Sequence, residues 1–226
     1  YILDKTDNYI GDIVVVGGDK YSIQQKEMYV SNNPKNSNVT ELRKMSLGTK
    51  HIYSMMYYMR DCSLPISINS LMDKAFMNFR IHFIPMLNVE SFYNHDDSSG
   101  ISKSDYIDML KLYFDSLKLD SIIYFDETSV PDRCVNIVSN VSIPDSIDTL
   151  LSNNEKVSKY ESIIGLDNEL TKISNVYRID YKSSLHKSSD FTSDQVTLYA
   201  SILGNIILER TKEYEKIDSE SLSDDI

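Results

Sequence analysis

Residues 12–23, DIVVVGGDKYSI, set four apolar, β-branched residues in front of two glycines and an Asp-Lys pair. Two structures compete for such a stretch. A phosphate cradle needs a helix directly after the glycines, because the amides that hold the anion are the free N–H groups of a helix's first turn. The chain continues instead with YSIQQKEMYV (21–30), which alternates with a period of two and places Tyr21, Ile23 and Gln25 on one side. The glycines are therefore expected to supply positive φ at a tight turn between strands 11–16 and 21–30, an N-terminal β-hairpin.

Working outward, Asn38 with Glu41 three residues on forms a capping-box-like start. Leu42, Met45, Thr49, Ile52, Met56 and Met59 then step by three and four, a helix running to about Arg60. A second helix is expected within SLPISINSLMDKAFMNF, with Leu71, Met72, Ala75, Phe76 and Phe79 inward. RIHFIPML (80–87) reads as a strand that Pro85 ends or confines to an edge. Tyr106, Met109, Leu110, Tyr113, Phe114 and Leu117 mark an amphipathic helix over 103–118, which feeds the apolar strand SIIYFDE (121–127) and, after a turn at Pro131-Asp132, the strand CVNIVS. Short helices are expected over 144–174, then an alternating strand NVYRIDY and a long last helix opening at Thr192. Strands and helices alternate without a regular βαβ rhythm, so the expected class is α+β. A mixed or mostly antiparallel sheet would pack against several amphipathic helices. One domain over 1–217 is expected, with a sub-boundary conceivable near 95–102 and an acidic flexible tail at 218–226.

Composition narrows the function classes. The 226 residues carry a net charge of −11, which repels nucleic acid and anionic membranes from the surface as a whole. No apolar run approaches the roughly 20 residues of a membrane span. The wealth of Asn, Ile, Tyr, Asp, Ser and Lys without Trp resembles the output of an AT-rich coding genome. Cys62 and Cys134 lie far apart with no metal-ligand spacing, which suggests reduced thiols and a cytoplasmic chain. The sequons Asn38-Val39-Thr40 and Asn140-Val141-Ser142 keep a secreted, ligand-binding chain as an alternative.

Chemistry-bearing constellations are sparse. Asp126 and Glu127 follow an apolar strand, the position at which open sheets hold metal or catalytic groups, and they form the enzyme candidate, a metal-dependent phosphoryl-transfer or nuclease-like centre. His95, Asp96 and Asp97 put three potential metal ligands in one loop, without a distant partner to complete a site. KSSLHKSS (182–189) combines Lys182, His186 and Lys187 ahead of a helix and reads as a solvated lead-in to its cap. His82 reads as a packed or surface histidine. The last helix carries a wide apolar face: Val196, Tyr199, Leu203 and Ile206 are assigned to the core, and Leu198, Ile202 and Leu208 to contact with another chain or with flanking sequence of the same polypeptide. The leading expectation is therefore a non-catalytic protein-protein interaction or assembly domain that needs no cofactor, with the Asp126/Glu127 enzyme as its alternative.

Overall fold

The structure, a computed structural model, describes residues 2–3, 10–17, 52, 55–56, 65–75, 77–84, 112–126, 134–154, 158–159, 166, 170–182 and 193–223. Seven strands lie in one sheet: β1 (Ile2–Leu3), β2 (Gly11–Gly17), β3 (Phe79–Ile84), β4 (Leu119–Asp126), β5 (Cys134–Ser139), β6 (Ser158–Lys159) and β7 (Asn175–Lys182). Their spatial order is β1-β3-β2-β4-β7-β5-β6. Among the described residues they are accompanied by α1 (Ile66–Ala75), α2 (Asp145–Ser152) and α3 (Ser193–Ser223).

The sheet is mixed, as expected, but its centre is parallel: β3, β2, β4 and β7 all run the same way, with β1 and β5 antiparallel on the flanks. The arrangement is roughly α/β and departs from the α+β expectation. The reason is visible in the opening stretch. Ile13, Val14, Val15 and Val16 are all fully buried, because a strand covered on both faces reads as a continuous apolar run and does not alternate. Both edges of β2 are taken by the parallel partners β3 and β4. Residues 21–30, expected to form the second strand of a hairpin with β2, lie outside the described ones.

Each face of the sheet has its own apolar layer. Ile13 and Val15, Phe79, Ile81 and Phe83, Ile123 and Phe125, and Tyr177 and Ile179 join the three helices in the larger cluster. Val14, Val16, Ile84, Ile122 and Val176 form the smaller one with Phe114 and Leu170. α3 crosses the first face. Gly204 lets α1 approach it: a Cβ there would meet Leu71 Cγ at 2.9 Å and Met72 Sδ at 3.1 Å. α1 begins just after Pro65, whose carbonyl accepts from the amides of Ile68 and Asn69. α2 opens after Pro144 with Asp145 and Asp148 in its first turn, acids placed where the helix dipole favours them.

Several expected elements meet the structure closely. β5 coincides with CVNIVS; β3 ends at Ile84, the residue before Pro85, as a proline demands. Phe79, assigned to the second helix, opens β3 instead and is buried there. β7 inserts between β4 and β5, so these consecutive strands are not neighbours. The last helix runs on to Ser223, past the 217/218 boundary where a flexible tail was expected. Of the first expected helix, residues 52 and 55–56 are described; they are helical, with Ile52 and Met55 buried. The 95–102 segment lies outside the described residues, while one sheet draws strands from both sides of it.

Candidate functional site

Among the described strands, β2 has β3, the next along the chain, on one side and β4, the one after, on the other. The chain thus reverses direction across the sheet at this strand. In open α/β sheets the crevice outside the carboxyl ends at such a reversal is where ligands bind. Gly17 closes β2 on that edge and Asp126 closes β4, in register with Asp180 of β7, which in turn stands opposite Asn136 of β5. Glu127, His95, Asp96, Asp97 and residues 183–189 lie outside the described residues.

Asp180 is fully buried, and both of its carboxylate oxygens are used. Arg178 Nε donates to Oδ1 at 2.9 Å, and Asn136 Nδ2 donates to Oδ2 at 3.1 Å. Arg178 sits two residues earlier on the same strand, which puts its guanidinium on the same face. An ionised carboxylate can be buried at tolerable cost when paired and hydrogen-bonded in this way.

Two further buried acids lie nearer the amino ends of the strands. Asp12, on β2, accepts from His82 on β3: Nε2 to Oδ1 is 2.6 Å. Its other oxygen accepts the amide of Lys118 at 2.8 Å, and Arg80 Nη1 stands 3.9 Å away. The hydroxyl of Tyr113 lies 3.1 Å from His82 Nδ1. The neutral tautomer protonated on Nε2 satisfies every contact, donating to Asp12 and accepting from Tyr113. Burial, and then the charge of Asp12, push the Tyr113 hydroxyl above its ordinary range.

The third node is built by a bulge. Asp12 pairs with Leu119 but Ile13 with Ser121, so one extra residue enters β4 at Asp120. Leu119 packs on the smaller cluster, and Asp120 turns instead toward α3. Arg210 meets it with two parallel hydrogen bonds, Nε to Oδ2 at 3.0 Å and Nη2 to Oδ1 at 2.8 Å, the planar fork that only arginine supplies. Ser121 Oγ also donates to Asp120 Oδ2, and Arg210 Nη1 donates to Glu213. Burial disfavours the guanidinium's charge, but Asp120's hydrogen bonds and charge outweigh it, so Arg210 holds its proton more firmly than a free arginine. The Tyr214 ring lies beneath the guanidinium, 5.9 Å from centroid to Cζ. Gly11 packs closely against the residues that lead into the bulge, since a Cβ there would meet the Lys118 carbonyl at 3.0 Å. Tyr177 borders the node; burial, opposed by Arg210 and reinforced by Glu213, Asp120 and Glu209, pushes its hydroxyl up to about 12.

The contact residues expected on α3 are corrected by their burial. Leu198 is 5% exposed and Ile202 0%, both inside the larger cluster, and Leu208 packs half-buried against it. α3 lies across a broad sheet with α1 at its side, so more of its circumference is covered than a two-layer packing would cover. Cys134 is a free, half-buried thiol. Among the described residues no group of three potential metal ligands gathers, and no helix is long and apolar enough to cross a membrane.

Sequence reasoning missed Asp12, Asp120, Asp180, Arg178 and Arg210. The available signal was a charged residue inside an apolar period: LDSII, RIDY and the arginine three residues after Ile207 on the helix's buried face.

No protein-family model matches the chain, and no curated protein matches it. Among solved structures, a metallo-carboxypeptidase from Burkholderia cenocepacia is similar at 8% identity, over 89% of this chain and 57% of that one, with a TM-score of 0.42. The chain thus spans less than two thirds of that protein's length, and a likeness this slight carries no inference about activity.

Proposed function

We propose that this chain is a non-catalytic interaction or assembly domain, whose partner is another protein chain or adjoining sequence of the same polypeptide. The observation that supports this reading is the state of the three buried acids. Asp12, Asp120 and Asp180 sit on three different strands, and each has both carboxylate oxygens accepting hydrogen bonds from the chain's own donors. Bonds of this kind hold a buried carboxylate in place and tie together the elements that carry its donors. These acids pin strand to strand and strand to helix.

One observation favours a second reading, a metal-dependent phosphoryl-transfer or nuclease-like enzyme. Asp126 stands opposite Asp180 at the carboxyl ends of neighbouring parallel strands, next to the reversal point. With Glu127 as its neighbour in the chain, this is where such a centre would assemble. Calorimetric titration with Mn²⁺, Mg²⁺ and Zn²⁺ separates the two. The interaction reading expects no saturable binding in the wild type and none in Asp126→Asn. Stoichiometric binding that Asp126→Asn abolishes, with metal-dependent cleavage of a phosphodiester, would overturn it.

A further inference from the structure

We draw no further inference here: the strongest candidate, the exposed apolar surface offered separately by Met77, Leu112 and Ile173 ahead of β3, β4 and β7, has nothing in the structure to show what covers it.

Discussion

Arg210 and Asp120 are 90 residues apart in sequence and share two hydrogen bonds in a site from which water is largely excluded. The worth of such a pair depends on what replaces it. Removing one partner leaves the other charge buried and uncompensated, which costs about 3–5 kcal/mol, whereas replacing both by apolar residues is often close to neutral. Arg210→Met is therefore expected to lower the urea midpoint sharply, and Asp120→Leu with Arg210→Met to recover most of the loss. A double variant no more stable than the single one would show that the pair's shape, and not its charge, is what the fold needs. Beside it, Tyr177 gives the fold an alkaline limit. Its hydroxyl is held near 12 in the folded chain against an ordinary 10.0, so the stabilisation it contributes is present in full below pH 10. It is lost as pH rises from 10 to 12, when the unfolded chain ionises and the folded one resists. The effect amounts to at most about 2–3 kcal/mol. Urea midpoints between pH 9 and 12 are expected to fall less steeply in Tyr177→Phe, with a residual slope from Tyr113 and Tyr214, whose hydroxyls burial also raises. Asn140 completes the residue scale. Its Oδ1 accepts the Val176 amide at 2.7 Å and its Nδ2 faces the carbonyls of Ser174 and Thr171 at 3.2 and 3.4 Å, tying the end of β5 to the start of β7. A glycan on Nδ2 would compete with that tie, which weakens the sequon as an argument for secretion.

The elements test the corrected reading of α3. Leu203, Leu198 and Ile202 all lie in one apolar cluster, so Leu203→Ala and Leu198→Ala are each expected to destabilise the fold by about 2–5 kcal/mol and to leave association unchanged. Thermal melts with analytical ultracentrifugation on the same variants check this; a Leu198→Ala chain of wild-type stability and altered association would restore the partner surface. How much of this was legible depends on where each signal resides. β4, β5 and β7 were readable to within two residues at each end because each is an apolar or alternating run bounded by turn residues. β6 was not, since Ser158 and Lys159 are exposed and carry no apolar signal at all. The parallel centre was half-visible. IVVV without alternation is what burial on both faces looks like, but the glycines after it suggested a hairpin, and nothing local shows that β3 and β4 lie on either side. The polar nodes were illegible for the same reason: Asp12 lies 70 residues from His82 and 106 from Lys118, and one sequence offers no way to pair them.

Across the whole molecule the last element closes structures laid down much earlier. β2 and β3 take their cover from α3 through Ile13, Val15, Ile81 and Phe83, and the Asp120 carried on the bulge waits for Arg210. Contacts so distant in sequence must meet the cost of loop closure before they return anything, so the sheet is not complete as a folded body until α3 is available. The helix is also longer than its task. Thirty-one residues at 1.5 Å each extend about 46 Å, while the eight-residue strands reach roughly 26 Å. Among its described side chains the last fully covered position is Thr211, Tyr214 is half-buried, and Glu215 and Lys216 are exposed. Two truncations should therefore behave very differently. Ending the chain after Asp218 keeps every described buried position of α3 and is expected to leave the melting temperature within about a degree or two. Ending it after Glu209 removes Arg210 with Thr211 and Tyr214, leaves Asp120 buried without its cation, and is expected to abolish the cooperative transition altogether. Circular dichroism melts on the two shortened chains decide it. A large loss from the first would mean that the acidic end of α3 docks on the domain, and a cooperative melt of the second would mean that the sheet holds its buried acids without the helix that pairs with them.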